Sequence, residues 1–138
     1  MKLLTLHWTN AGLKMARTFK NIKIDGKDAL VLFDTGSLRS YVREGLASKI
    51  RWKTTPFEVG LGGRSFKISE ACGLNCMIEG LEFDIKAHPV KGLGKDEHGR
   101  EIDAIIGATA MEEWGLIPDP RTGEIDLTLL RKREFTEF

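Results

Sequence analysis

The stretch Ala29-Leu30-Val31-Leu32-Phe33 runs without a polar residue into Asp34-Thr35-Gly36-Ser37, and a second apolar run far downstream, Ile105-Ile106, ends in Gly107. Apolar residues at consecutive positions predict a strand buried on both faces. A buried strand that stops at an aspartate followed by small residues delivers one carboxylate from the core into a tight turn. Asp-Thr-Gly by itself carries little weight, because all three are common turn residues and an isolated copy reads as a turn or helix-cap aspartate. The weight lies in the order: strand, Asp-Thr-Gly-Ser, then Ile-Ile-Gly leading into a short helical stretch.

The surrounding pattern is that of a β-rich chain. Ile22 and Ile24 alternate with lysines and predict a half-buried strand, which Asp25-Gly26 turns back into Leu30–Phe33. Val42, Leu46 and Ile50 recur at intervals of four and predict a short helix, weakened by Gly45. Phe57–Leu61 and Phe66–Ile68 read as a hairpin with Gly62-Gly63-Arg64 at its tip. A further hairpin turns at Glu79-Gly80 between Met77-Ile78 and the alternating residues Leu81, Phe83, Ile85 and Ala87. Lys91 to Glu101 is Gly-rich and charged, as expected of a surface loop. Asp103 to Gly107 is the second buried strand. Ala108 to Trp114 predicts a helix stopped by Gly115, and Ile125, Leu127 and Leu129 alternate as a last strand. The fold class is therefore mostly β, a small closed β-barrel with one or two short helices.

With 138 residues the chain has room for one domain with a core, but not for two comfortable ones. The organisation expected is an N-terminal extension or added edge strand over 1–16, a domain over 17–130 and a charged tail over 131–138. The 21 basic and 20 acidic residues are interspersed and leave a net charge of +1, which argues against a dedicated nucleic-acid surface. Arg131-Lys132-Arg133 reads as solvated tail. No apolar stretch reaches the roughly 20 residues of a membrane span, so no membrane association is expected, and Met1–Leu6 is a poor secretory signal.

The chain has two cysteines, Cys72 and Cys76, which fit free thiols in a reducing cytoplasm. A disulfide between them would require a tight turn at Gly73-Leu74-Asn75. They make no zinc site, and no other metal or cofactor is expected. His7, His88 and His98 have no nucleophile or metal ligand at useful spacing and read as surface residues. The serines lack a Gly-x-Ser-x-Gly frame, and no phosphate-cradling Walker sequence occurs.

Taken in order from Phe19 to Leu129, these features resemble the retropepsin-like aspartic proteases, single-domain relatives of pepsin that work as homodimers. The similarity is greater to the compact bacterial and archaeal members than to the viral ones. The resemblance implies a cytoplasmic aspartic endopeptidase acting on extended polypeptides, with Asp34, Thr35 and Gly36 as its catalytic turn. Asp103, Asp119 and Asp126 are not followed by Thr-Gly or Ser-Gly. A second catalytic carboxylate must then come from an identical chain across a two-fold axis. The resemblance further implies that Thr35 bonds across that axis and that Ser37 hydrogen-bonds near the outer carboxylate oxygen.

Gly60 to Phe66 resembles the family's flap, so Leu61, Gly62, Gly63 and Arg64 would cover the peptide. Ile105, Ile106 and Gly107 would pass beneath the active-site loop as structural support. Which side chains line the substrate pocket depends on how the strands pack around Leu38, Val59, Leu61 and Ile105, and the sequence leaves that packing open. Many viral members place an aspartate soon after the Asp-Thr-Gly and an arginine just after the Ile-Ile-Gly, where this chain has Leu38 and Ala108. The joint loss of both charges is consistent with a different dimer interface. The rival reading is a catalytically inactive dimerisation or peptide-binding module on the same fold, since fold does not confer activity.

Overall fold

The computed structural model describes residues 17–133. The segment expected as an extension, 1–16, lies outside the described residues, as do residues 134–138 of the expected tail. Strands β1 (Arg17–Ile24) and β2 (Lys27–Asp34) form an antiparallel hairpin, in register from Arg17 opposite Asp34 to Ile24 opposite Lys27. On β1 the alternation holds, with Ile22 and Ile24 buried and Lys23 exposed. On β2 every residue from Ala29 to Phe33 is buried, because the strand lies between two others. Its second neighbour is β7 (Ala104–Ile106), which runs parallel to it and sets Val31, Leu32 and Phe33 beside Ala104, Ile105 and Ile106.

The far side of β7 pairs antiparallel with β3 (Tyr41–Arg43), which in turn pairs parallel with β6 (Leu81–Val90). Strand β5 (Arg64–Ile78) lies antiparallel to both β6 and β4 (Arg51–Leu61). Ile24 of β1 also pairs with Cys76 of β5. Pairing therefore runs β1-β2-β7-β3-β6-β5 and back to β1, a ring with β4 attached outside it along β5. The fold is mostly β, as the sequence pattern implies. Two short helices, α1 (Ala108–Trp114) and α2 (Thr128–Lys132), and a small ribbon of β8 (Ile117–Asp119) and β9 (Glu124–Asp126) complete the described chain.

Because successive side chains of a strand point to opposite faces, β2 and β7 feed two separate apolar clusters. Val31, Phe33, Ala104 and Ile106 enter the main core, together with Ile24, Phe83 and Leu130. Leu32 and Ile105 face the other way and join Tyr41, Ile68, Val90 and Ile102. This second cluster lies under the β4–β5 hairpin, whose Phe57, Val59, Leu61 and Phe66 pack against it.

Four local expectations are corrected. The helix expected over Val42–Ile50 is a single 3-10 turn, Glu44–Leu46. Val42 is instead a fully buried residue of β3, where pairing on both edges outweighs a helical spacing interrupted by Gly45. The segments Phe66–Ile68 and Met77–Ile78 belong to one 15-residue strand. Leu127 and Leu129 do not continue a strand: β9 ends at Asp126, whose carboxylate accepts from the N–H (2.9 Å) and hydroxyl (2.7 Å) of Thr128, the first residue of α2. Arg131 and Lys132 lie in α2, and Arg131 reaches Glu79 at 3.1 Å.

Finally, no turn exists at Gly73–Asn75, because β5 runs straight through it. Cys72 and Cys76 are buried free thiols on that strand. Four steps of about 3.3 Å separate them by roughly 13 Å, beyond the ~7 Å limit for a disulfide. No helix among the described residues is long and apolar enough to cross a membrane.

Candidate active site

Asp34 is the last residue of β2, so the buried strand fixes its backbone while its side chain emerges 20% exposed. The Ser37 N–H donates to the Asp34 carbonyl at 3.0 Å and closes the turn. The Gly36 N–H donates to Asp34 Oδ1 at 2.9 Å. Arg17, opposite Asp34 in the hairpin register, brings its Nε to 3.6 Å from Asp34 Oδ2. Thr35 sits half-buried within the turn. The contact expected between Ser37 and the carboxylate is not made: the Ser37 hydroxyl donates to the Arg39 carbonyl at 2.9 Å. The turn brings the Gly36 N–H onto the carboxylate and directs the serine along its own loop.

The loop after this turn rests on Gly107. The Ala108 N–H donates to the Ser37 carbonyl at 2.7 Å, and the Thr109 N–H to the Leu38 carbonyl at 3.2 Å. The Gly107 N–H itself donates to the buried Ser40 hydroxyl at 3.0 Å. A Cβ on Gly107 would collide with the carbonyl oxygens of Ser37 and Arg39. Glycine is required here by proximity, since the residue's φ of −96° is ordinary. Ile105 and Ile106 bring the glycine to this point from β7, and the close approach to the loop is made by Gly107.

Asp103, just before β7, is a second anchor that motif reading passed over. Its carboxylate accepts from the Leu30 N–H at 2.7 Å and pairs with Arg43 Nε at 2.6 Å. It therefore ties β2 to β3 on either side of β7. The sequence signal was present, a carboxylate immediately before a buried apolar run, but its two partners are distant in the chain.

Above the turn lies a groove of about 300 Å³. Leu32, Tyr41, Ile102 and Ile105 form its floor, and Leu38, 61% exposed, lies at its edge beside Arg39. The β4–β5 hairpin roofs it with Val59, Gly60, Leu61 and Gly62. Leu38, Val59, Leu61 and Ile105, whose packing the sequence leaves open, all line it. Of the expected flap residues, Leu61 and Gly62 face the groove, whereas Gly63 and Arg64 do not line it. Arg64 turns outward, donating to the Gly92 carbonyl at 2.6 Å and lying 5.1 Å from the centre of the Phe66 ring. Gly62 and Gly63, at φ +58° and +81°, form the tip, a left-handed pair that side-chain-bearing residues adopt at a cost.

His88 is not the surface residue its sequence context implied; it is 2% exposed. Parallel pairing with Tyr41 carries it inward, between the rings of Tyr41 (5.9 Å) and Phe57 (5.2 Å). Its Nδ1 lies 2.8 Å from the Glu70 carbonyl oxygen, which can only accept, so the proton sits on Nδ1. Nε2 is buried without a hydrogen-bond partner among the described residues. Burial pushes the imidazole below its ordinary pKa, against the opposing pull of the Glu70 carbonyl.

No protein-family model matches the sequence, and no curated protein matches it. Among solved structures, the chain is similar to the EIAV protease in complex with the inhibitor HBY-793. That match spans 72% of this chain and 88% of the other, at 15% identity and a TM-score of 0.47. It is also similar to the foamy viral protease-reverse transcriptase in complex with an RNA/DNA hybrid, over 77% of this chain, at 10% identity and a TM-score of 0.51. The chain spans only 12% of the length of that second protein. At these identities the likeness concerns architecture, and the architecture agrees with the Asp-Thr-Gly turn resting on Ile-Ile-Gly: the chain has a retropepsin-like fold.

Proposed function

We propose that the protein is a homodimeric aspartic endopeptidase that hydrolyses extended polypeptides, with one Asp34 from each subunit at its centre. The observation that carries this reading is the position of the carboxylate. It stands at the end of a strand buried from Ala29 to Phe33, accepts the Gly36 N–H, and opens into a roofed apolar groove. Two such carboxylates about 3 Å apart cannot both ionise cheaply, so they share one proton. The ionised member takes a proton from a water held between them as that water attacks the peptide carbonyl. The protonated member hydrogen-bonds that carbonyl oxygen and later protonates the leaving amine. The titration belongs to the pair and not to either aspartate.

In this reading Thr35 links the two turns across the axis, and the β4–β5 hairpin acts as a flap, presenting backbone groups to an extended substrate.

One observation favours the inactive peptide-binding module: Arg17 lies 3.6 Å from the carboxylate that would have to share a proton. Arg17 is 61% exposed at its side chain and free to swing away when a second subunit approaches.

The test is to purify the parent and Asp34→Asn, measure each mass in solution, and assay both against a random peptide library from pH 4 to 7. Cleavage by a dimeric parent alone supports the protease. Equal behaviour of the two proteins leaves the binding module standing.

A further inference from the structure

We propose that Arg39 is a specificity residue that holds an acidic side chain of the peptide lying in the groove. The inference rests on the reading of that groove as a peptide site. It commits to a polypeptide with bulky apolar residues at its centre and an aspartate or glutamate farther along.

The argument begins with the charges that face the groove. Among the described residues these are Asp34, Arg17 and Arg39. Asp34 and Arg17 are paired with each other. Arg39 has no carboxylate partner among the described residues; Arg43 has Asp103 and Arg51 has Glu44, and Arg64, which has none either, turns away from the groove onto the Gly92 carbonyl. Its guanidinium lies 4.3 Å from the centre of the Phe57 ring and beside the Tyr41 hydroxyl. The aromatic face holds the planar cation in place without neutralising it. A guanidinium so held keeps its donors available for a two-point contact with a carboxylate.

Position adds a second argument. Arg39 and Leu38 also line an adjoining cavity of about 320 Å³, on the far side of the loop from Asp34. Lys86 and Glu113 are the other ionised groups of that cavity, so its balance, like that of the groove, is positive by one charge. Arg39 marks the junction between the two. A peptide side chain leaving the groove there meets the Arg39 cation first, in a cavity shared with Lys86 and Glu113. The groove floor of Leu32, Tyr41, Ile102 and Ile105 offers nothing ionised, so the apolar and the acidic requirements fall on different parts of one substrate.

The experiment uses two fluorescein-labelled peptide mixtures, both apolar at the centre, one with Glu and the other with Gln at the outer positions. Cleavage is measured for the parent, Arg39→Gln and Arg39→Lys. Binding is measured by anisotropy on the same Arg39 variants made in the Asp34→Asn background. Thermal melts confirm that each variant is folded. A charge-assisted contact predicts a preference for the Glu mixture of about tenfold in the parent. That preference should fall to near unity in Arg39→Gln and be partly restored in Arg39→Lys. Cleavage by the parent without an acidic preference, or a preference that survives in folded Arg39→Gln, overturns the inference and leaves the protease reading intact. Arg39-dependent binding of the Glu mixture with no cleavage by any protein supports the inference while the protease reading fails. Absence of binding to either mixture overturns the inference.

Discussion

Gly107 passes beneath Arg39 so closely that a methyl group on its Cα would fall on the Arg39 carbonyl oxygen. That contact joins the end of β7 to the loop that begins at Asp34, and the Ala108 and Thr109 N–H groups extend it by two hydrogen bonds. Gly107→Ala must therefore move backbone, not a flexible side chain, at a cost of about 1–3 kcal/mol. The expected outcome is a lower melting temperature in calorimetry together with a drop in peptide hydrolysis, because the displaced loop carries the carboxylate. An alanine variant with the parent's melting temperature would show that this approach is looser than described.

Asp103 is expected to matter for stability and not for chemistry. Asp103→Ala leaves the Leu30 N–H without its side-chain acceptor and the Arg43 guanidinium with only the more distant Glu101, at 3.9 Å. Both groups are at least partly buried, and the loss is expected to be about 2–3 kcal/mol in urea unfolding. Asp103→Asn keeps one acceptor oxygen and should lose less.

The pH dependence of stability has a definite sign at His88. Burial holds its folded-state pKa below the ordinary value of 6.5. Between those two values the unfolded chain binds a proton that the folded chain does not, so stability rises with pH across that window. This contribution is fully in hand above pH 6.5 and is lost as pH falls toward the folded pKa. His88→Gln cannot take up that proton, and its melting temperature should fall less steeply than the parent's below pH 6.5. Parallel curves for the two proteins would count against the burial described.

The thiols should be inert in the native protein. Burial raises the pKa of Cys72 and pushes that of Cys76 up to about 12, so neither supplies thiolate near neutrality. Iodoacetamide should label neither until denaturant is added, and mass spectrometry of the oxidised native protein should find no Cys72–Cys76 bridge.

At the hairpin tip, Gly63→Val places a β-branched residue at φ +81° and should cost about 1–2 kcal/mol locally. If the hairpin closes over substrate, KM for peptide cleavage should change more than the global melting temperature. The pair of measurements separates a working flap from an ordinary surface turn.

Much of this architecture was legible from neighbours in sequence. The hairpin at Asp25-Gly26, the two-sided burial of Ala29–Phe33, the helix from Ala108 and its stop at Gly115 all follow from local pattern. Local pattern failed where a strand's partners lie elsewhere. Val42 shares a helical spacing with Leu46 and Ile50, yet pairing with β6 and β7 draws it into a strand. His88 shows no sign of burial until Tyr41 and Phe57 close over it.

The sequence by itself determined which residue carries the carboxylate, that a buried strand delivers it into a small-residue turn, and that a glycine ends the second buried run. Those properties depend on residue type and on period, which are local. Only the tertiary structure decided that Gly107 lies under Arg39, that Asp103 joins Leu30 to Arg43, that Arg17 meets Asp34, and that Arg39 faces the groove without a counter-ion among the described residues. Each is a contact between elements brought together by ring closure of the sheet, and no periodicity along one segment encodes which distant segment will lie beside it.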